Sequence, residues 1–206
     1  MTARDAALRR TKTAIMARMV RTISAEVRFL AVPRMVPEQR ALEALKEADI
    51  IVGCLDTFHA RSDLQEIAWR YLIPYVDIGL LIKGPPEVKE LVIGGNVATL
   101  VPGQFCQWCI DFLTKEKLNA ETDGRPRSYL KEATAQAQVV SFNGVLASQA
   151  VSEVLQLLTG FAPPAEVVTI KKFNGLNGTL KEWKIRHTNC QFCQSVLGVG
   201  DLIWRS

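Results

Sequence analysis

Apolar residues recur along the chain in two modes, a helical spacing of three to four and short, nearly unbroken apolar runs. Their alternation predicts an α/β protein in which helices layer a sheet. Residues 4–22 read as a helix with Ala7, Ile15, Met16, Met19 and Val20 broadly on one side. Residues 26–32 read as a strand ending at Pro33, and Pro37 opens a helix through Ala48 with Ala41, Leu42 and Leu45 at helical spacing. Residues 49–53 form a short, almost wholly apolar strand of the kind buried on both faces of a parallel sheet. A helix over 60–71 and a second buried strand over 75–82 follow.

Beyond Gly84-Pro85-Pro86 the pattern changes. Residues 91–101 predict an antiparallel strand with a turn or bulge at Gly94-Gly95. Residues 114–127 are charged and poor in core formers, which predicts a mobile crossover loop. Residues 142–159 make the clearest helix, with Val151, Val154, Leu155 and Leu158 on one face and Gly160 as its stop. Residues 167–173 and 179–185 flank Asn-Gly turns and predict a hairpin. There is no internal repeat or low-complexity segment.

At 206 residues, 48% hydrophobic and 22% charged, the chain can bury a sizeable core. Its apolar runs fall short of the ~18–20 residues that span a bilayer, so no membrane partner is expected. The basic opening lacks the apolar core and small-residue cleavage site of a secretory signal, so the expected compartment is the cytoplasm. Net charge is +4. Residues 1–34 hold eight Lys/Arg against two Asp/Glu, hence +6, leaving about −2 elsewhere. That excess sits on one helix without interleaved aromatics, so nucleic acid is not the expected partner.

Four of the five cysteines form two knuckles, Cys106-Gln107-Trp108-Cys109 and Cys190-Gln191-Phe192-Cys193. In a reducing compartment, paired CxxC motifs point to metal or redox chemistry, and four thiolates are the tetrahedral set of a structural zinc ion. A redox site would need one such motif; the alternative to zinc is a pair of knuckles that has lost its ion. Separately, the strand over 49–53 runs into a loop bearing Asp56, with Arg61 five residues on. Ligands of open parallel sheets bind beyond the carboxyl ends of the strands, where a carboxylate can hold Mg²⁺ against phosphates. The simpler alternative is that Asp56 N-caps the next helix. Lys12 is a compact, mobile cation suited to a polyphosphate, or else part of a solvated helix face.

The order of Thr11-Lys12-Thr13-Ala14, the segment 49–61, the segments 74–79 and 101–109, the long helix and the second knuckle resembles the ThiF/MoeB/HesA family, bacterial relatives of ubiquitin-activating enzymes. The resemblance covers most of the chain. It implies an α/β fold with an incomplete Rossmann-like, mostly parallel sheet, helices on both faces, an antiparallel extension and a four-cysteine zinc site. It also implies binding of ATP and Mg²⁺, and adenylation of the C-terminal carboxylate of a small ubiquitin-like or sulfur-carrier protein. By position Lys12 would touch the phosphates and Asp56 would hold magnesium. Thr57 stands where the family more often has asparagine, and Arg61 matches a supporting arginine. A homodimer, or pairing with a homologue, is the expected assembly.

Two departures shape the expectation. Residues 110–189 contain no cysteine, so a thioester step is not expected and the reaction stops at the acyl-adenylate. A Gly-x-Gly-x-x-Gly turn after a strand is also missing, and the sequence starts about where the family's second helix does. The chain is therefore expected to be one N-terminally truncated domain over 1–206, with 1–83 the rest of the nucleotide-binding half and 84–206 the partner-binding, zinc half. Such a chain alone should show negligible ATP turnover. The alternative function is a non-catalytic, zinc-stapled scaffold paired with a complete homologue.

Overall fold

In the computed structural model the described residues are 5, 8–84, 89–122, 139–162, 169–183, 185 and 190–202. They divide into two compact units, residues 1–47 and 48–206. In the first, α1 (Lys12–Ile23) begins at Thr11, whose side-chain oxygen accepts from the Ala14 N–H at 3.2 Å. Ile15 and Ala17 are its buried positions, whereas Met16 and Met19 are exposed. Asp5, itself buried, pairs with the guanidinium groups of both Arg10 and Arg18, so its single negative charge is shared between two of the opening segment's eight positive ones. The helix α2 (Gln39–Lys46) follows, two residues shorter at each end than the expected span.

The strand expected over 26–32 does not form. Alternating apolar residues make a strand only where a neighbouring backbone completes the ladder. Among the described residues none pairs with this segment, and Val27 and Leu30 stay exposed.

The second unit is a five-stranded sheet in the order β1-β2-β3-β4-β5: β1 (Ile51–Gly53), β2 (Tyr75–Lys83), β3 (Val92–Leu100), β4 (Ile170–Asn174) and β5 (Thr179–Trp183). The first pair is parallel, joined through α3 (Phe58–Arg70), with Gly53 opposite Asp77. The other three pairs are antiparallel, so the antiparallel extension makes up most of the described sheet. Helices cover both faces. Successive strand residues point to opposite sides: Val76 packs with Leu146 and Ala150 of α5 (Val140–Thr159), while Asp77 reaches Arg61 of α3.

The buried side of α5 is Leu146, Ala150 and Glu153, with Phe142, Val154 and Leu157 packed against the same core. Of the stripe expected to face inward, Val151, Leu155 and Leu158 are 59%, 48% and 62% exposed. The apolar arc of the helix is wider than the face that is buried, so its periodicity does not choose which part of that arc turns inward. Glu153 reads as polar but is buried against Lys171. Gly160 ends the helix with φ +63°, as its position predicts.

Two other expectations change. Gly94-Gly95 makes neither turn nor bulge, because β3 runs through it in unbroken register. Gly95 is there for close approach: a Cβ would come within 2.5 Å of Leu146 Cδ1 and 2.9 Å of the Gly79 carbonyl oxygen. The stretch 114–127 contains the helix α4 (Lys115–Thr122), and residues 123–127 lie outside the described ones. The hairpin forms between β4 and β5, with Asn174 opposite Thr179; residues 167, 168 and 184 lie outside the description. A last short helix, α6 (Gln191–Val196), carries the second knuckle. Among the described residues no helix is long and apolar enough to cross a membrane.

Candidate functional site

The loop 54–57 joins β1 to α3 at the carboxyl end of a parallel strand, the position at which open sheets take ligands. Asp56 is exposed there. It is not the cap of α3. Thr57 is: its side-chain oxygen accepts from the Ala60 N–H at 3.2 Å. The simpler alternative for Asp56 is thereby removed, and the Thr57 hydroxyl already has a structural partner.

Arg61 points inward from the first turn of α3 and is buried. One terminal nitrogen, Nη1, donates to Asp77 Oδ2; the other, Nη2, donates to the Leu55 carbonyl and, at 3.1 Å, to that of Ile78. Tyr75 donates its hydroxyl to the second Asp77 oxygen at 2.7 Å. Burial pushes the Asp77 carboxyl above its usual range, and the Arg61 guanidinium pulls it back. Burial, then the neighbouring Asp77 charge, drives the Tyr75 phenol well above its own. Gly53 fits under the Tyr75 ring only because it lacks a side chain, since a Cβ would sit 2.6 Å from Tyr75 Cε2. Asp77 and Tyr75 escaped the sequence reading, although an aspartate inside an apolar strand signals a buried partner.

The front of α3 is covered by α4. The Glu121 carboxylate accepts from the Phe58 and His59 N–H groups at 2.9 and 3.1 Å, satisfying two donors that a helix start leaves open. His59 Nε2 lies 2.9 Å from Thr122 Oγ1. Phe58 and Phe112 meet edge to face, with the Lys117 ammonium over both rings. These contacts give a polar segment a reason to be helical that composition does not reveal.

The knuckles converge. Cys106 Sγ lies 3.7 Å from Cys109 Sγ and 3.9 Å from Cys190 Sγ, and Cys109 lies 3.7 Å from Cys193; all four sulfurs fall within 4.8 Å of one another. A zinc ion bonded to four sulfurs at ~2.3 Å sets tetrahedral edges of ~3.8 Å, so these residues could hold one. Burial pushes the Cys193 thiol up to about 12 and the Cys106 thiol higher still, and a cation is what would make thiolates of them. The rings of Trp108 and Phe192, one from each knuckle, stack at 6.0 Å. The Gln107 N–H donates to Gln65 Oε1 at 2.6 Å, tying the first knuckle to the middle of α3.

Lys12 belongs to the first unit, as the first residue of α1. It is exposed and lines a cavity of about 270 Å³ with Thr11, Thr13, Pro33 and Arg34. Asp56, Thr57 and Arg61 fall within one short stretch of the second unit, and the four cysteines come together in it.

No curated protein sequence matches the chain. Among solved structures, E. coli MccB with ATP is 16% identical with a TM-score of 0.65, the match covering 89% of this chain and 51% of that one. The microcin C7 biosynthetic enzyme MccB in complex with N-formylated MccA gives 16%, 0.67, 89% and 52%. PaaA gives 14%, 0.60, 85% and 55%. This chain thus spans about half the length of the structures it matches, and at these identities the likeness is one of fold. The ThiF family profile matches residues 1–194, nearly the whole sequence, and the chain belongs to the ThiF family.

Proposed function

We propose that the protein takes part in ATP-dependent adenylation of a carboxylate, that of the C-terminus of a small ubiquitin-like or sulfur-carrier protein, and that the product is the acyl-adenylate with no thioester step. The observation that carries this reading is Asp56, exposed at the carboxyl end of a parallel strand, with the capping of α3 assigned to its neighbour. Support of a coarser kind comes from family membership, and from an E. coli protein of the same fold that has been solved with ATP.

Nucleophile and triphosphate are both anionic, so the site must position them and neutralise charge. Bound Mg²⁺ supplies that neutralisation at the phosphates. Asp56 would hold the ion, and Thr57 keeps the loop closed against α3. A carboxylate oxygen of the partner bonds to the α-phosphorus, the α–β bridging bond breaks, and pyrophosphate leaves. The four cysteines would hold zinc in a structural role, since four protein ligands leave no open coordination position. The assembly proposed is a homodimer or a pair with a homologue.

ATP–pyrophosphate exchange, measured on the protein purified from its own source, is the test. This chain alone should show negligible turnover; exchange by the assembly it forms with a second copy or a homologue, and loss of that exchange in Asp56→Ala, are expected. Exchange that survives the substitution removes Asp56 from the mechanism. Absence of both exchange and ATP binding in that assembly replaces the enzyme reading with the zinc-stapled scaffold.

A further inference from the structure

We propose that Arg61 and its anchor Asp77 are positioning residues that present the Asp56 loop. The inference rests on Asp56 as the metal-holding carboxylate of the proposed function, and it adds the machinery that would aim that carboxylate.

The loop is fixed on both sides of Asp56. Upstream, Arg61 holds the Leu55 carbonyl, one residue before the carboxylate. Downstream, Thr57 is locked as the cap of α3. Behind these two points lies a buried frame. Gly53, the last residue of β1, sits under the Tyr75 ring; the Tyr75 hydroxyl and the Arg61 guanidinium occupy the two oxygens of Asp77; and Asp77 lies opposite Gly53 in the parallel register. The Arg61 and Asp77 side chains are 8% and 0% exposed, so neither is available to a ligand in this arrangement.

An arginine is required. The forked guanidinium serves a carboxylate with one nitrogen and two carbonyls with the other, whereas a lysine ammonium is a single point of charge. Asp77 is required in turn, because a buried guanidinium without a counter-charge would leave this position for water. Arg61 therefore acts through the Leu55 carbonyl, and Asp77 acts through Arg61.

Arg61→Lys is the informative variant. It keeps the charge beside Asp77 and loses the double hold on the Leu55 and Ile78 carbonyls. Two readouts apply to the full chain: hydrogen exchange of the amides of residues 57–61, and Mn²⁺ binding in the presence of ATP followed by electron paramagnetic resonance. Arg61→Lys should speed that local exchange roughly tenfold and weaken Mn²⁺ binding roughly tenfold, the usual effect of disturbing a group behind a metal ligand. Tyr75→Phe, which removes one hydroxyl and keeps the ring, should move both readouts in the same direction by less. It also stands in for Asp77→Asn should that variant fail to fold. Lys171→Met breaks a buried ion pair on the opposite face of the sheet and is the comparison for a merely structural effect; it should lower the melting temperature and leave both readouts alone. Arg61→Lys with native exchange at 57–61 and native Mn²⁺ binding overturns the proposal, as does an equal response to Lys171→Met. Faster local exchange in Arg61→Lys with Mn²⁺ binding unchanged in both Arg61→Lys and Asp56→Ala would retire the metal role of Asp56 while upholding Arg61 as the residue that sets the loop.

Discussion

Glu153 shows how far a single residue can depart from its pattern. It is fully buried in the most apolar helix of the chain, where its carboxylate accepts from Thr99 Oγ1, Gln149 Nε2 and Lys171 Nζ. A buried ion pair adds little stability over a well-packed apolar one, but removing one member strands the other. Glu153→Ala should therefore lower stability by about 3–5 kcal/mol in denaturant unfolding, and Glu153→Leu combined with Lys171→Met should recover most of it. The cysteines obey a related logic. Elemental analysis should find one zinc per chain, and Cys193→Ser should lose it. Burial raises the Cys193 thiol to about 12 without metal, so the apo cluster holds its protons and loses stability only as pH climbs toward that value. Zinc must displace those protons. With zinc present the dependence therefore reverses, and the melting temperature of the zinc-loaded protein should fall between pH 8 and pH 6 while that of the chelated protein changes little.

At the scale of elements, sequence reading succeeded where one local rule decides the outcome. The β1–α3–β2 unit follows from two short apolar runs around a helical segment, and Gly160 marks the end of α5 as only a left-handed cap can. It failed where the decision belongs to a distant neighbour. Residues 26–32 have the composition of a strand without a ladder partner among the described residues. Residues 115–122 have the composition of a loop but gain Thr114 as a cap and dock Glu121 on the start of α3. The inward face of α5 could not be chosen from periodicity, because what selects it is Gly95, sixty positions from Leu155 and in contact with Leu146. Gly95→Ala should destabilise the sheet by ~1–3 kcal/mol through overpacking, measured by denaturant midpoint, since backbone as well as side chain stands in the way. Within the candidate site, the paired cysteine knuckles and the loop that carries Asp56 were legible as motifs. The frame behind Asp56 was not, because Tyr75 and Asp77 look like ordinary strand residues until Arg61 is seen to meet them.

Across the second unit, α3 is the element that the Asp56 loop, the first knuckle and the segment 198–202 share. Its start carries the Asp56 loop and Arg61, and Gln65 in its middle holds the first knuckle. Its end receives the chain beyond the second knuckle: the Gly198 N–H donates to the Trp69 carbonyl at 2.9 Å, the Gly200 N–H to the Arg70 carbonyl at 3.0 Å, and Arg70 Nη1 to the Gly200 and Leu202 carbonyls at 3.1 and 2.8 Å. The segment 190–202 is thus tied down at two places, the four-cysteine cluster and the end of α3. It contributes no strand to the sheet and packs no residue into the core around Val76, Val97 and Leu146. Removing zinc should therefore act locally first. In hydrogen exchange, chelated protein should lose protection over 190–202 and around Gln107, while β2, β3 and the buried side of α5 keep theirs, because local openings follow the contacts a segment makes. Arg70→Ala should give the same loss at 198–202 with the metal still bound, separating the two ties. Sheet and knuckle amides exchanging together after chelation would mean that the cluster holds the entire second unit, and that zinc is a condition of its folding and not a staple on its edge.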